Sequence, residues 1–487
     1  MKVGVDYRAI RVGTGRNAVA FGMCLIIASC SGSDNSANVV ESLQTKSGEE
    51  SDPRRPNCLF IVLDTTAAKH VGAWGYSRPT TPQIDALASR AVVFENAYSQ
   101  APSTLGSTWS FLTGQYPIPK RSSASEYLQV RENDFTLAQA FQADGFKTFG
   151  YSENPYISEE LGFGSGFDQF KHYPALDEAR SSFRDHSSTT SMFADATKSI
   201  MEAGNSPWFS YLHVLRPHEP YLAPKPWGTQ FMDAEEAETA TETQERGIWN
   251  GLRVQGRDLS EYAVDYLKDS YDGNLSYVDY LVGQLFGYLA QYGLLENTII
   301  IVASDHGEAF MEHGRPGHGF FLYEELLHVP LIIYVPESMD VKPKRVDALV
   351  EMVDVYPTLV EIFDLNTPQV LHGRSLLPGL NTVDFPSKEN SYAQTLAADW
   401  ISVRIGDEKL ICKVDPLTRK FSDFEVYDHT KDLDELSNLY TKEYPIEHLI
   451  EAGREYVERW ASIETVVGGE VSDELKEEIE ALGYVRN

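Results

Sequence analysis

The sequence predicts an α/β protein: a sheet with helices on both faces, followed by a smaller α+β unit. From residue 57 onward, short apolar runs rich in β-branched residues alternate with segments of helical spacing. From about residue 390 the pattern changes to short strands separated by tight turns. Polar residues with ligand chemistry also stand directly after the apolar runs, and in a parallel sheet the strand C-termini share one edge.

Asn57–Leu63 (NCLFIVL) has the composition of a buried parallel strand. Pro82–Arg90 has helical spacing, Ala91–Tyr98 reads as a strand, Ser107–Thr113 and Thr136–Asp144 as helices, and Lys147–Tyr151 as a strand. Trp208–Leu215 is a longer strand, and Tyr266–Gln291 is a long amphipathic helix punctuated by Gly293. Thr298–Ala303 (TIIIVA) is the most β-like run of the chain, Pro330–Val335 is another strand, and Asp354–Phe363 is a helix. In the tail, Trp400–Arg404, Lys409–Lys413 and Phe424–Tyr427 are short strands with turns at Gly406-Asp407 and Asp415-Pro416. Helices are predicted at Pro445–Ser462 and Ser472–Leu482. Residues 225–265 are polar, acidic and weakly periodic, which suits an insertion or a lid.

Composition narrows the function. A chain of 487 residues with 42% hydrophobic and 23% charged residues is neither disordered throughout nor a polytopic membrane protein. Its formal charge of −31 repels phosphate backbones and argues against a nucleic acid partner. Four cysteines are too few for a disulfide scaffold or a cysteine-rich zinc domain.

The first residues read as a leader. Lys2, Arg8, Arg11 and Arg16 precede Asn17–Ser29, an apolar run shorter than the ~20 residues a membrane span needs. This is the pattern of a secretory signal. Its end, Ile27-Ala28-Ser29-Cys30, resembles the bacterial lipobox. The expectation is that residues 1–29 are a lipoprotein signal peptide and that Cys30 carries the lipid. Residues 30–56, rich in Ser, Asn, Glu and Gly, would then be a flexible tether. The protein would sit in a bacterial cell envelope, facing periplasm or exterior, and touch the membrane through the lipid only. The processed chain would carry about −34, with Cys58 and Cys412 as its unmodified cysteines.

The chemistry concentrates at strand ends. Asp64 follows the first strand, Asp305 and His306 follow Thr298–Ala303, and His218 lies just beyond Trp208–Leu215. A single Asp after a strand is ordinarily a turn former, but four such residues on one predicted edge point to a metal or phosphate site. Ser103, Thr104 and Ser107 precede or open a helix. They are ordinary capping residues, yet a hydroxyl at a helix N-terminus beside a divalent cation can also become a nucleophile for an anionic ester.

The order D-T-x(5)-G-x-x-G-Y at Asp64–Tyr76 and S-T-L-G-S-x-x-S-F-L-T-G at Ser103–Gly114 resembles the sulfatase branch of the alkaline phosphatase superfamily. So do H-x-x-x-x-H-x-P-Y at His213–Tyr221, S-D-H-G-E at Ser304–Glu308 and G-H-G-x-x-L-Y-E-E at Gly317–Glu325. V-P-L-I at Val329–Ile332, D-x-Y-P-T-L at Asp354–Leu359, H-G-R-S-L-L-P at His372–Pro378 and Y-D-x-x-x-D-x-x-E-x-x-N-L at Tyr427–Leu439 complete the set. The resemblance implies an alkaline-phosphatase-like α/β/α sandwich, with a catalytic domain over 57–389 and a C-terminal α+β subdomain over 390–487.

The departures from that family are informative. Sulfatases of this kind convert a cysteine or serine in C/S-x-P-x-R to formylglycine. Here that position is Thr104, the proline position is Gly106 and the arginine position is Thr108. Threonine cannot become formylglycine, and Thr65 stands where the family has a second aspartate. Threonine nucleophiles with Asp-His ligation belong to the superfamily's phosphodiesterases, phosphonate hydrolases and phosphoethanolamine transferases. The resemblance therefore implies Asp64, Thr104, Asp305 and His306 as ligands of a divalent metal, with Thr104 as nucleophile. The imidazole favours zinc or manganese over calcium.

His218 and His318 would face the substrate, protonate the leaving group, or hold a second, weaker metal. His213 reads as a core histidine and His328 and His372 as structural. Glu308 and Glu312 read as solvated or supporting, and His313 is left open. Lys120 and Arg121 could reach the anion, though surface solvation is the plainer reading. Phe163, Phe167, Trp227 and Trp249 could form a carbohydrate or aromatic platform, with core or lid packing the default.

The implied activity is a metal-dependent hydrolase or transferase acting on phosphodiesters or phosphonates. A sulfatase working without formylglycine is the close alternative, and a binding protein that kept the fold but lost catalysis is the third.

Overall fold

The computed structural model describes residues 55–117, 128–174, 176–177, 182–183, 187–233, 237–238, 261–382, 384–395, 399–415, 418–459 and 471–481. Cys30, Lys120, Arg121, Trp249, the leader, the tether up to residue 54 and most of 225–265 lie outside these residues.

Nine strands among the described residues form the main sheet. They are β1 (Asn57–Leu63), β2 (Val92–Tyr98), β3 (Lys147–Ser152), β4 (Gln169–His172), β5 (Trp208–Val214), β6 (Thr298–Ala303), β7 (His328–Val329), β8 (Leu331–Tyr334) and β9 (Lys344–Glu351). Their order is β7-β2-β8-β6-β1-β5-β3-β4, with β9 also paired to β2. From β6 to β4 all neighbours run parallel, as do β2 and β9, whereas β8 is antiparallel to both β6 and β2.

The continuous apolar runs are explained by burial on both faces. Alternate residues of β1 enter two separate cores, Phe60 and Val62 on one side, Leu59, Ile61 and Leu63 on the other. Helices α1 (Pro82–Ala88), α2 (Thr104–Thr113), α3 (Leu137–Ala143), α4 (Ser187–Glu202), α5 (Glu261–Gln291) and α6 (Val355–Phe363) divide between these cores. Leu105, Trp109, Phe141 and Leu359 place α2, α3 and α6 on the Phe60 face. Ile84, Met192, Ile200, Val278 and Leu285 place α1, α4 and α5 on the other. This is a three-layer α/β/α sandwich.

The smaller sheet is an antiparallel meander of β10 (Asn390–Gln394), β11 (Trp400–Ile405), β12 (Glu408–Val414) and β13 (Phe421–Asp428). Helix α7 (Glu447–Glu458) covers it through Leu449, Tyr456 and Val457. Tyr116 and Val353 of the main body share that core. Helix α8 (Asp473–Ala481) returns to the main body: Val471, Leu475 and Ile479 join the Phe60-side core, and Glu478 meets His172 of β4 at 3.1 Å.

The helix expected from Ser107 begins at Thr104, and the long helix begins at Glu261 rather than Tyr266. Strands β4, β9 and β10 and helix α4 were not predicted. No described helix is long and apolar enough to cross a membrane. Cys58 and Cys412 are buried and unpaired.

Candidate active site

The parallel strands β6, β1, β5 and β3 are consecutive in the sheet, so their C-terminal ends lie side by side. Asp64 follows β1, Ser304-Asp305-His306 follows β6, and Asn154 stands two residues beyond β3. His213 is the penultimate residue of β5 and pairs with Val62, and His218 lies four residues past that strand. Thr104 opens α2 and reaches the side chains at this edge.

These side chains meet. Thr104 Oγ1 is 3.2 Å from His306 Nε2 and 3.5 Å from Asp64 Oδ2. Asn154 Nδ2 donates to Asp64 Oδ2 at 2.6 Å. His306 Nε2 lies 3.7 Å from Asp64 Oδ1 and 3.6 Å from Asp305 Oδ2. His213 Nε2 lies 3.3 Å from Asp64 Oδ2 and 3.8 Å from Asp305 Oδ2. Asp64, Thr104, Asn154, His213, Asp305 and His306 are all fully buried.

The surrounding backbone explains how they are held. Asp305 Oδ1 accepts from the N–H groups of Thr65 and His306, at 3.2 and 2.9 Å. Thr65, at the position of the family's missing aspartate, adopts a left-handed φ of 59°, a strained conformation for a β-branched residue. Gly307 is obligatory, since a Cβ there would lie 2.0 Å from the Glu325 carbonyl oxygen. His306 Nδ1 donates to the Gly307 carbonyl at 2.9 Å, which turns Nε2 toward the carboxylates. Ser103 makes no capping bond, and Ser107 ties α2 to the end of β6 by donating to the Asp305 carbonyl at 2.6 Å.

The electrostatics fit a cation. Burial and the neighbouring Asp305 push the Asp64 carboxyl well above the usual range. Burial acts the same way on Asp305, but His306, His213 and the two backbone N–H groups outweigh it and hold that carboxyl low. Burial pushes His213 down to about 4, so its ring is neutral and its Nε2 can act as a ligand. Asp64 Oδ1 and Asp305 Oδ2 are buried without a hydrogen-bond partner among the described residues. Two such oxygens beside the neutral ring of His213 suit a bound divalent cation. The oxygens of Asp64 and Asp305 and a ring nitrogen of His213 lie within 4.8 Å of one another.

His213 is therefore part of the cluster, not a core histidine. Its place inside an apolar strand concealed it, although its position one residue from the strand end was a usable signal. Asn154 was missed too; applying the strand-end rule to Lys147–Tyr151 would have found it.

His218 and His318 lie beside this cluster. Their rings are 4.8 Å apart, and the His318 ring is 4.6 Å from that of His306. The ligand atoms that converge within 4.8 Å among the described residues are those of Asp64, His213 and Asp305, and of Glu324, His429 and Glu435. Glu308 is fully buried, not solvated, and meets His318 Nδ1 at 2.9 Å. Glu312 pairs with Lys69 at 2.6 Å. His313 bridges Glu325 and the Glu435 carbonyl, away from the site. His328 and His372 stack on Tyr98 and Tyr116. Phe163 is a core residue, Phe167 packs against the same core and Trp227 packs on α5 beside Tyr277 and Tyr280, so these three form no exposed platform.

A second buried group lies at the seam with the smaller sheet. Glu435 receives His429 Nε2 at 2.6 Å and Lys409 Nζ at 2.7 Å, and its Oε2 accepts from the Glu324 N–H at 2.9 Å. Glu324 in turn accepts from the Tyr98 hydroxyl at 2.6 Å.

A sandwich of this kind, with acids, imidazoles and a hydroxyl gathered at its strand C-termini, is the architecture of an α/β hydrolytic enzyme. A family model described as Sulfatase matches residues 56–365, and one described as N-sulphoglucosamine sulphohydrolase, C-terminal, matches 312–457. The chain belongs to the sulfatase family and is a hydrolase of that family.

Among curated relatives, the ulvan-active sulfatase of Formosa agariphila is 25% identical over 67% of this chain, and the match spans 65% of that protein's length. The arylsulfatase of Clostridium perfringens is 24% identical over 66% of this chain and 78% of its own. Human iduronate 2-sulfatase is 26% identical over 64% and 70%. The solved phosphonate monoester hydrolase of Agrobacterium radiobacter superposes with a TM-score of 0.65 at 20% identity, covering 84% of this chain and 96% of that one. An enzyme in complex with its substrate D-glucosamine-2-N,6-O-disulfate superposes with a TM-score of 0.64 at 20% identity, covering 83% and 97%. At these identities the likeness concerns the fold.

Proposed function

We propose that this chain hydrolyses phosphodiester or phosphonate esters, with Thr104 as the nucleophile. The observation that carries this reading is the position of Thr104 Oγ1, buried at the start of α2 between Asp64 Oδ2 and His306 Nε2. A divalent cation bound by Asp64, Asp305, His306 and Thr104, with His213 as a further ligand, would lower the hydroxyl's pKa and stabilise charge on the transferring group. Thr104 Oγ1 attacks the phosphorus, its proton leaving toward a neighbouring acceptor. The bond to the leaving oxygen breaks, and that oxygen takes a proton from His318 or His218. Water then attacks the Thr104 ester and regenerates the hydroxyl. Asn154 and the N–H groups opening α2 orient the anion.

A second reading, sulfate ester hydrolysis by unmodified Thr104, is favoured by the curated relatives, whose names describe sulfatases. Sulfate monoesters and phosphodiesters are both monoanions, so the two compete for one site. Comparison of kcat/KM for bis(p-nitrophenyl) phosphate, a p-nitrophenyl phosphonate and p-nitrophenyl sulfate decides. The phosphorus esters are expected to lead; a sulfate ester turned over fastest overturns the first reading in favour of the second. We further read the chain as lipid-anchored through Cys30 in a bacterial cell envelope, on its leader alone.

A further inference from the structure

We propose that Glu308 is a positioning residue that aims His318 at the leaving group. The inference rests on the role just given to His318 and extends it to a carboxylate with no assigned part. Glu308 lies five residues beyond β6 and is fully buried. Its Oε1 meets His318 Nδ1 at 2.9 Å, and its Oε2 accepts from the Tyr221 hydroxyl at 3.1 Å. Three separate stretches of chain meet at this carboxylate: the 304–308 turn that bears Asp305 and His306, the 316–318 segment, and the 215–221 segment that bears His218.

The His318 segment needs such an anchor. Gly317 and Gly319 flank the histidine with φ of 87° and 89°, values open to glycine at little cost. The only regular structure beside them is a two-residue bridge, Pro316–Gly317 paired with Ala309–Phe310. A carboxylate on Nδ1 sets both the ring's orientation and its tautomer. With Nδ1–H committed to Glu308, Nε2 is the atom left to exchange a proton with substrate, on a ring in contact with those of His306 and His218. Glu308 touches none of the reacting atoms and acts through the imidazole.

The test uses Glu308→Gln and Glu308→Ala, with aryl and alkyl esters of graded leaving-group basicity and with bound metal measured in parallel. The expected result is a kcat loss at least tenfold larger for alkyl than for p-nitrophenyl esters, with KM and metal content close to wild type. A loss equal for all leaving groups at unchanged metal content overturns the proposal. If the wild-type chain turns over no such ester, the proposed function fails, and the ring geometry is judged by 15N resonances of His318 in the wild-type chain. The same measurement decides if the variants do not fold. A proton on Nδ1 supports the assignment, and an unprotonated Nδ1 overturns it.

Discussion

The cluster at the sheet edge and the cluster at the seam are built from similar parts and solve burial differently. Each gathers two carboxylates and at least one histidine, fully buried at the edge and with Glu324 half-buried at the seam. At the seam Lys409 supplies a cation from the chain itself, 2.7 Å from Glu435. At the sheet edge, the ion-pair partners of Asp64 and Asp305 among the described residues are imidazoles only, and one of these is held neutral. Composition alone does not separate a ligand set from an internal ion pair; the presence of a resident lysine does.

The largest effect that tests this contrast is expected at the edge. Thr104→Ala and Asp305→Asn should each lower turnover on the order of a thousandfold or more. Asp305→Asn should also lose bound metal on elemental analysis, whereas Thr104→Ser keeps measurable activity. Retention of both metal and rate by Asp305→Asn would erase the distinction between the clusters.

At the seam the expected loss is in stability. Lys409→Met strands buried Glu435 and should cost about 3–5 kcal/mol in chemical denaturation. Removing one carboxylate at the edge, as in Asp64→Asn, relieves repulsion in the metal-stripped chain and should leave its stability unchanged or raised. A destabilisation as large as that of Lys409→Met would show that the edge is balanced without a cation.

The smallest effect concerns a third solution. Asp279, on α5, accepts from the N–H groups of Gln83 and Ile84 at the start of α1, at 2.9 and 2.8 Å. Burial, working against those two bonds, pushes its carboxyl up to about 7. From about pH 4 to 7 the unfolded chain ionises this group while the folded chain keeps its proton. Stability from this residue therefore falls as pH rises through that window, by about 1.4 kcal/mol per pH unit at most. Asp279→Asn should flatten that slope in denaturation curves recorded across it; an unchanged slope would mean the carboxylate is charged and carried by the helix N-terminus alone.

Legibility followed burial. β1 and β6 were read residue for residue because both faces of each strand are covered, which makes the run uniformly apolar. β9 (KRVDALVE) and β4 (QFKH) were missed because they carry polar residues on partly exposed faces. In the site, Asp64, Asp305, His306 and His218 were legible because each follows an apolar run, whereas Thr104 drew notice at a helix start and His318 only through the family motif. His213 sits inside such a run and presented itself as core. The burial of Glu308 depends on contacts between distant stretches of chain, which local pattern does not encode.

The return of α8 to the main sheet sets the order in which this protein can become finished. The Phe60-side core is incomplete until Leu475 and Ile479 dock, roughly 300 positions after the β4 strand that Glu478 meets. Until that stretch arrives, apolar surface beside an outer strand stays open to other chains. A copy cut short before residue 471 would keep all the chemistry of the site and still be prone to stick to its neighbours, which makes the tail a guardian of solubility.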